Sequence, residues 1–487
     1  MTTTHCLLAI DLGTQSLRVS ALASTGERLW GWARPVESRI EGDVFEQSTQ
    51  QWQALLDEAL ADAGRAGIRP DAIAAAAPLA GFVALDAQGR AMTPAVLYAD
   101  RRSAPYLEPV EAALARHPGA NPHGLRVYVP DPLPHWLRLR AAEPGVFARM
   151  RRLLDATGWL NRYLTGVDTL NAYTALRLYD AEVRRELGVP EGMFGDPAPI
   201  GRRIGALRAD LASRHGLPPA PVIAAAFDSK CAYLGSGIER PGDALDISGT
   251  VTSCGVVTDT PFDDPQRRVY TVPISARTHL ARGSTASSGG TLEWARTHLL
   301  ERDFPAIDAE ILATRASVDG PVFLPYLAGE RSPLWNPHAR GALLGLSLDG
   351  ASHARIARAV YEGLAFALRH ILAVLASQGA QAQRMLLAGG LSRNDVLCQI
   401  KADVLGLPLS RCRDTELTTL GLCAIAGVAL GDWPDCASAG RTLVAVDRTF
   451  VPDPAEHRVH SANFERYLRY VQALLPTFAP AGREGAP

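Results

Sequence analysis

The chain carries one short pattern twice, at positions that divide it almost in half. An apolar run, an aspartate, a Gly-Thr turn and a β-rich return segment occur in AIDLGTQSLRVSAL (9–22) and again in ALDISGTVTSCGVVT (244–258). Thr14 and Thr250, in the two turns, stand 236 positions apart in a chain of 487 residues. Each segment predicts a buried strand that turns back on itself. The repetition indicates an internal duplication and therefore two domains built alike.

Both halves alternate between strand-like and helical periodicity, which predicts an α/β architecture. The middle of the chain, 101–215, is mostly helical in pattern and is broken by proline-rich loops. We predict strands at 6–11, 72–77, 82–85, 221–227 and 384–388, and helices at 48–63, 353–375, 394–405 and 420–430. The residues from 476 onward (PTFAPAGREGAP) are predicted to be frayed.

The charge balance argues against two classes of partner. Lys plus Arg number 49 against 51 Asp plus Glu, so there is no basic excess to favour nucleic acid or an anionic membrane surface. The first residues lack the basic region and the small-residue cleavage site of a secretory signal, and no long uncharged apolar stretch indicates a membrane span. We therefore expect a cytoplasmic protein.

Lysine is almost absent from the chain. Lys230 and Lys401 are the only two, and no G-x-x-x-x-G-K-[ST] sequence can be written, which excludes a P-loop. The seven cysteines are scattered without a C-x-x-C pair, so they support neither a disulfide framework nor a structural zinc site.

The two Gly-Thr turns suit phosphate, because glycine lets backbone N–H groups approach an anion and nearby hydroxyls add neutral donors. Thr14, Ser16 and Thr250 supply such hydroxyls. A single turn of this kind is more often only a hairpin, so the argument depends on the matched pair. Asp11, at the end of the first predicted strand, would either hold a hydrated Mg²⁺ or cap the backbone of the hairpin.

Two further segments place polar or glycine residues after a predicted strand, where α/β sheets bind ligands. Asp228 follows PVIAAAF and precedes a helix of small residues, so it is a candidate general base, a helix N-cap, or both. Gly389 and Gly390 follow the strand at 384–388 and leave room for a flat group such as an adenine against the backbone.

Seven segments, taken in order, closely resemble the FGGY family of carbohydrate kinases, within the actin-like ATPase superfamily. They are DLGTQSLR, FDSK…LGSG, DISGT, SSGGTLEW, FLPYLAGERSPLWNPHARGALLGL, YEGLAFALR and AGGLSRND…ADVLGLPL, and they span about residues 6–430. The resemblance implies two ribonuclease-H-like α/β domains with ATP and Mg²⁺ in the cleft between them. The γ-phosphoryl group would pass to a hydroxyl of a sugar or polyol.

The resemblance also implies roles for individual residues. Asp228 matches the catalytic base, Asp11 the magnesium-organising acid, and Asp100 and Arg102 the sugar-binding stretch, beside Tyr98 in place of the usual Trp. The matches to the nucleotide site are Gly13, Thr14, Gln15, Ser16 and Arg18 in the first phosphate loop, Gly249 and Thr250 in the second, and Gly289, Gly290, Gly389, Gly390 and Asn394 along the nucleotide. Phosphoryl transfer needs chiefly positioning, charge neutralisation and one base, and this set supplies them.

Departures from the family pattern leave the substrate open. Pro78-Leu79-Ala80 stands where xylulose kinases carry Gln-Met-His and where glycerol kinases carry an Arg-Glu pair. Lys230 stands two residues after the predicted base, where small residues are common in the family, and we expect it to contact the sugar or the transferring phosphate unless it is only an exposed lysine at a helix start. Family frequency favours a pentulose such as xylulose or ribulose, with a tetritol, a hexulose or a deoxyketose as alternatives.

We expect an N-terminal domain at 1–242 with the sugar site and the first phosphate loop, a C-terminal nucleotide-binding domain at 243–475, and a tail at 476–487. The expected partner is a small sugar or polyol, and a homodimer is compatible with the resemblance. Two other function classes compete: a catalytically silent sugar-binding regulator, and an actin-like ATPase acting as a chaperone or filament. The intact acids Asp11 and Asp228 argue against the first. Asp100 and Arg102 would have no purpose in the second.

Overall fold

A computed structural model of the chain describes residues 4–122, 125–274 and 278–478. They divide into two compact units. The first unit contains the described residues up to Gly237 together with Leu417–Leu443, and the second contains Ile238–Glu416 and the described residues from Val444 onward.

The first unit is built on a mixed six-stranded sheet. Its strands are β1 (Cys6–Leu12), β2 (Ser16–Ala23), β3 (Arg28–Pro35), β4 (Ala72–Ala76), β5 (Arg203–Ala206) and β6 (Pro221–Ile223), in the order β5-β6-β4-β1-β2-β3. β1 and β4 consist almost wholly of buried residues, as expected for the centre of a sheet covered on both faces.

Further strands and helices surround this sheet. A five-stranded sheet has the order Ser38–Glu41, Val44–Gln47, Ala95–Val96, Phe82–Leu85 and Arg152–Asp155, and a parallel pair joins Thr169–Asn171 to Asp196–Ala198. The helices are Thr49–Arg65, Leu107–Arg116, Pro132–Ala142, Pro144–Arg149, Ala156–Thr165, Ala172–Leu176, Ala181–Glu186, Ala209–His215, Asp228–Gly235, Leu417–Leu430 and Cys436–Leu443, with a 3-10 turn at Ala104–Tyr106.

The second unit contains a seven-stranded sheet in the order β9-β10-β8-β7-β11-β12-β13. Its strands are β7 (Asp243–Ser248), β8 (Thr252–Thr258), β9 (Tyr270–Pro273), β10 (His279–Ser284), β11 (Arg384–Ala388), β12 (Leu409–Cys412) and β13 (Val446–Phe450), and Val322–Leu324 pairs with Ala342–Leu344 in a separate ladder. The helices are Gly289–Ala295, continued by a π turn at Arg296–Leu300, then Phe304–Leu312, His353–Ser377, Asp395–Leu405 and Pro454–Leu474, with 3-10 turns at Gly390–Arg393 and Leu475–Phe478.

Six strands of the two sheets correspond one to one. The β1–β2 hairpin, with β3 antiparallel to β2 and β4 parallel to β1, matches β7–β8 with β10 and β11. Outside these, β6 runs parallel to β4 and antiparallel to β5, just as β12 runs parallel to β11 and antiparallel to β13. The expected α/β fold of two similar repeats is therefore confirmed, with β9 as an extra edge strand.

The division into units differs from the predicted one at Leu417–Leu443, which was placed in the C-terminal domain. The helix Leu417–Leu430 packs instead on the helix Asp228–Gly235 of the first unit. A Cβ on Gly421 would stand 1.8 Å from the carbonyl oxygen of Cys231, and one on Gly235 would stand 2.2 Å from the amide of Gly421. Only two facing glycines allow such an approach of two helix backbones. The first unit also ends at Gly237 rather than at 242.

Replacing Gly421 with alanine is expected to lower the free energy of unfolding by about 1–3 kcal/mol, because the added methyl group meets backbone rather than a movable side chain. Gly145→Ala is the matched control, since nothing lies within 4 Å of its Cβ position and its helix should gain slightly from alanine. Urea denaturation of both variants measures the difference. Equal stability of the two variants would contradict the close helix contact.

The long helix His353–Ser377 buries two ionisable side chains against the helix Pro454–Leu474. His460 is fully buried and Glu362 is 5% exposed. Among the described residues, no hydrogen-bond partner is found for either ring nitrogen of His460 or for Oε1 of Glu362. Burial raises the pKa of Glu362 to about 7, although Arg358 opposes this shift. Burial also lowers the pKa of His460 to about 3. Both side chains are therefore held in their neutral forms near pH 6.

These two groups are expected to oppose each other in the pH dependence of stability. The Glu362 carboxyl holds its proton longer in the folded state, so its contribution falls as pH rises from about 4.5 to 7. The His460 ring gives up its proton earlier, so its contribution rises from about pH 3 to 6.5. Glu362→Gln should therefore make stability rise more steeply with pH between 4.5 and 6.5, by up to about 1.4 kcal/mol per pH unit. Unfolding by denaturant across this range tests it, with Glu465→Gln, at an exposed position of the helix Pro454–Leu474, as control. Parallel curves for wild type and Glu362→Gln would refute it.

The helix His353–Ser377 is also long and apolar enough to cross a membrane, judged by length and composition alone. Most of it is buried in the second unit, as expected of a core helix.

Near the C-terminus, Phe478 is buried within the 3-10 turn Leu475–Phe478, so the predicted fraying does not begin at Pro476. Residues 479–487 of the predicted tail lie outside the described residues.

Candidate active site

The first Gly-Thr loop joins β1 to β2 and is fixed through its carbonyl groups. The Gly13 amide donates to Ser16 O at 2.9 Å, which closes the turn. Thr14 O accepts two side-chain hydrogen bonds, from Gln47 Nε2 at 2.9 Å and from Ser38 Oγ at 3.2 Å. Holding the carbonyl oxygens on the protein side is what a backbone anion site requires, because the amides are then the groups left to face a phosphate.

Asp11 is the penultimate residue of β1 and lies 4% exposed beside Arg18, its cross-strand neighbour on β2. Arg18 Nη1 stands 3.5 Å from Asp11 Oδ2. A phosphate-bound Mg²⁺ usually takes one or two carboxylates and completes its shell with water and phosphate oxygens. The single carboxylate fits that demand. No group of three or more His, Cys, Asp or Glu residues able to hold a metal occurs in the described part of the chain, so a fully protein-liganded metal is not supported there.

Asp228 is the first residue of the helix Asp228–Gly235, and Phe227 occupies the N-cap position that the sequence assigned to Asp228. Its amide donates to Ala77 O at 3.1 Å, which ties it to the segment after β4. Its Oδ1 accepts from the Ser229 amide at 2.6 Å. The side chain is half-buried, so a fixed carboxylate remains accessible to a small molecule.

Lys230 lies on the first turn of the same helix and is half-buried. Burial lowers the pKa of its ammonium group. Lys230 is two residues from Asp228 on the same helix turn. Because it is half-buried, it is not the exposed lysine that was the alternative from sequence.

Asp100 and Arg102 form a buried ion pair rather than two independent side chains. Arg102 Nη2 donates to Asp100 Oδ2 at 2.7 Å and to Glu46 Oε1 at 2.5 Å, and the Phe45 amide donates to Asp100 Oδ2 at 2.9 Å. The Asp100 side chain is 2% exposed, whereas that of Arg102 is 27% exposed. The accessible member of the pair is therefore Arg102. Tyr98 packs edge-on against Phe45, with ring centroids 5.6 Å apart.

In the second unit, the loop Gly249–Thr250 between β7 and β8 holds the start of the helix Gly289–Ala295. The Gly289 amide donates to Gly249 O at 2.9 Å, and the Ser288 amide donates to Thr250 O at 2.8 Å. A Cβ on Gly289 would stand 2.6 Å from Gly249 O, so the two segments touch through their backbones. The structure brings together Gly249, Thr250, Gly289 and Gly290.

Gly389 also meets this loop, because a Cβ on it would lie 2.5 Å from Ser248 O, and its φ of +82° favours glycine independently. Gly390, in contrast, faces open space. Asn394 caps the helix Asp395–Leu405 by accepting from the Leu397 amide at 2.7 Å, and its amide group donates to both oxygens of Asp308 at 3.0 Å. Its side chain is thus engaged within the protein. Its assignment to the nucleotide stays a prediction.

Three supporting residues were missed from sequence. Gln47 holds the first loop, and Glu46 holds Arg102. Glu330 Oε1 accepts from the Ala286 amide at 2.7 Å, three residues before Gly289, and burial raises the pKa of this carboxyl to about 7. Glu330 stands in GERSP, inside a segment already singled out, but nothing local revealed its partner.

Models of two domains of one family match the chain. The N-terminal domain of the FGGY family of carbohydrate kinases matches residues 6–235, and its C-terminal domain matches residues 246–430. The chain belongs to the FGGY family of carbohydrate kinases. Members are phosphotransferases with an alcohol group as acceptor, so this protein is a kinase of a sugar or polyol.

Relatives with named substrates fall into more than one group. A glycerol kinase of Bordetella parapertussis is 29% identical, with 97% of each chain covered. A xylulose kinase of Escherichia coli is 27% identical over 97% of this FGGY chain and all of the relative. Similarity at this level fixes the kinase class and leaves the acceptor unresolved.

Solved structures agree on the fold. The xylulose kinase of Rhodospirillum rubrum superposes with a TM-score of 0.84 at 26% identity, covering 97% of this chain and 99% of that one. That of Lactobacillus acidophilus gives 0.87 at 19% identity, covering 97% and 99%. The Plasmodium falciparum glycerol kinase with ADP gives 0.84 at 16% identity, covering 96% and 98%. The last two, being under 25% identical, support the fold alone.

Proposed function

We propose that this FGGY kinase transfers the γ-phosphoryl group of ATP to a hydroxyl of a small sugar, with a pentulose such as xylulose or ribulose as the first candidate. The observation that carries the proposal is Asp228: a half-buried carboxylate at the start of a helix, tied to the segment after β4 through Ala77 O. It lies in the same compact unit as the first Gly-Thr loop and the Asp100–Arg102 pair.

Asp228 acts in this proposal as the general base. Its Oδ1 is oriented by the Ser229 amide, and the carboxylate takes the proton of the acceptor hydroxyl as that oxygen attacks phosphorus. The transferring group needs in-line placement and charge neutralisation more than covalent help. A fixed carboxylate on a rigid helix start supplies the orientation.

Asp11 would hold the hydrated Mg²⁺, and the ion would neutralise charge on the nucleotide phosphates. Arg18, beside Asp11, adds a cation on the same side. Each Gly-Thr loop is proposed to receive phosphate oxygens on groups other than its glycine amide, since the Gly13 amide donates to Ser16 O and the Gly249 amide donates to Val251 O. The rest of the nucleotide is proposed to lie along Gly289, Gly290, Gly389 and Gly390, of which Gly390 faces open space. The sugar is assigned to the first compact unit and the nucleotide to the second.

Arg102 and Tyr98 receive the sugar, with Asp100 as the anchor of Arg102. The segment Pro78-Leu79-Ala80, next to the Ala77 carbonyl that binds Asp228, offers aliphatic side chains to the acceptor. Because these side chains are aliphatic, a second class of acceptor is also proposed, namely a tetritol, hexulose or deoxyketose. A cytoplasmic location and a homodimer complete the proposal.

The test is ADP release from Mg-ATP across a panel of ketoses, polyols including glycerol, and aldoses. Strong stimulation by a pentulose supports the proposal. Stimulation by another polyol or ketose keeps the kinase and replaces the acceptor. ATP binding without stimulation by any sugar would favour the catalytically silent regulator, and an ATPase indifferent to sugar would favour the actin-like ATPase.

Lys230→Met is expected to raise the KM for the sugar or for MgATP about tenfold, because a partly buried cation near the base would lose its contact with substrate oxygens. Steady-state kinetics with each substrate varied in turn measures the change. Arg240→Met, a short distance along the chain, is the control. Unchanged turnover and unchanged KM values would remove Lys230 from the site.

A further inference from the structure

One of the two lysines of the chain is buried in the second unit. Lys401, on the helix Asp395–Leu405, is 3% exposed, and its Nζ donates to Asp246 Oδ2 at 2.6 Å and to Ser248 Oγ at 2.8 Å. Asp246 itself is 1% exposed. A buried ion pair costs desolvation that its mutual attraction often only offsets, so stability alone does not account for it.

The pair continues into a chain of hydroxyl groups. Ser248 Oγ donates to Asp246 Oδ1 at 2.6 Å and lies 2.9 Å from Thr252 Oγ1. Thr252 Oγ1 lies in turn 2.9 Å from Ser288 Oγ. Lys401 is therefore connected, through side chains only, to the residue that precedes the helix Gly289–Ala295.

This chain of contacts links the two strand ends that flank the Gly249–Thr250 loop. Ser248 and Thr252 are the last residue of β7 and the first of β8, so the two linked hydroxyls flank the loop on both sides. The Ser288 amide donates to Thr250 O at 2.8 Å. The loop is thus held by side-chain contacts at its two flanking residues and by a backbone hydrogen bond to Thr250.

The corresponding turn of the first unit is held differently. There the carbonyl of Thr14 is bound by Gln47 and Ser38, and Asp11 faces Arg18 across the hairpin. The two aspartates that look alike in sequence therefore have different partners. Asp246 forms its ion pair with Lys401, on the helix Asp395–Leu405.

We propose that Lys401 is a positioning residue for nucleotide binding: through Asp246 and Ser248 it holds the Gly249–Thr250 loop in the shape that receives the nucleotide phosphates. The inference rests on the proposed function of that loop. Lys401 touches no ligand. It fixes the Ser248 hydroxyl, and Ser248 with Thr252 fixes the spacing of the two strand ends between which the loop is stretched.

The test compares Lys401→Met, Ser248→Ala and the double variant Lys401→Met/Asp246→Leu. Affinity for MgADP is measured by titration calorimetry, and unfolding is measured by denaturant. The double variant is the decisive one, because replacing both buried charges with apolar groups restores stability without restoring the bond to Ser248. Ser248→Ala leaves the Lys401–Asp246 contact and cuts the link to Thr252.

We expect all three variants to bind MgADP about tenfold more weakly, with KM for MgATP raised and KM for the acceptor unchanged. The double variant should regain wild-type stability while keeping this defect. Arg138→Met, which removes the buried Arg138 from its ion pair with the half-buried Glu143 in the first unit, should lose stability without the nucleotide defect. A double variant that regains both stability and nucleotide affinity would overturn the proposal, as would normal affinity in Ser248→Ala. Absence of nucleotide binding in the wild type would instead refute the proposed function itself.

Discussion

Asp228→Asn is expected to lower kcat for sugar phosphorylation by about 10²–10⁴-fold, the range typical of a lost general base. The amide keeps the shape of the carboxylate and can still accept from the Ser229 amide, so the helix start should be unchanged. What disappears is the capacity to take a proton from the acceptor hydroxyl. The KM values for sugar and MgATP should change little, because binding does not depend on that transfer.

The measurement is ADP release with the acceptor identified by the panel, accompanied by sugar binding to the variant. Asp210→Asn, at an exposed position of the same unit, is the control and should retain full activity. A kcat within a few-fold of wild type in Asp228→Asn would mean that the base lies elsewhere.

Asp11→Asn is expected to lower kcat/KM for MgATP by about a hundredfold to a thousandfold. Asp11 is nearly fully buried and supplies the one carboxylate proposed for the metal, so the variant would leave Mg²⁺ with water and phosphate oxygens only. Arg18, 3.5 Å away, would also lose its countercharge.

A magnesium titration separates this effect from a general loss of activity. The Mg²⁺ concentration for half-maximal activity should rise in Asp11→Asn, and excess Mg²⁺ should recover part of the rate. Asp71→Asn, whose carboxylate binds the Cys6 amide at the other end of β1, should titrate like wild type. An unshifted magnesium curve in Asp11→Asn would contradict the metal role.

The strands around the two Gly-Thr turns could be predicted because the signals are local. A hairpin is indicated within about 15 positions by apolar runs, an aspartate and a turn residue, and the same sequence pattern recurs at β7 and β8. The strand predicted at 221–227 was too long, since ladder pairing ends at Ile223 and the chain then turns to bring the Asp228 amide to Ala77 O.

The contacts that shape the site could not be predicted in the same way. Lys401 and Asp246 are 155 positions apart, and Gln47 reaches Thr14 across 33. Sequence singled out Lys401 only by its rarity. Asn394 shows the opposite case: an Asn directly before a helix is a strong N-cap signal, and the structure gives it that role, whereas resemblance had assigned it to the nucleotide.

The segment Leu417–Leu443 belongs to the first unit although it follows most of the second unit in sequence, and this order affects folding during synthesis. The helix that packs on the Asp228 helix is synthesised after residues Ile238–Glu416 of the second unit, so the first unit stays incomplete until Leu443 has left the ribosome. The candidate base therefore acquires its final support late in synthesis. A nascent chain stalled before that point would carry both Gly-Thr hairpins and yet lack the helix that packs on the Asp228 helix, so we expect no activity before Leu443 has been made.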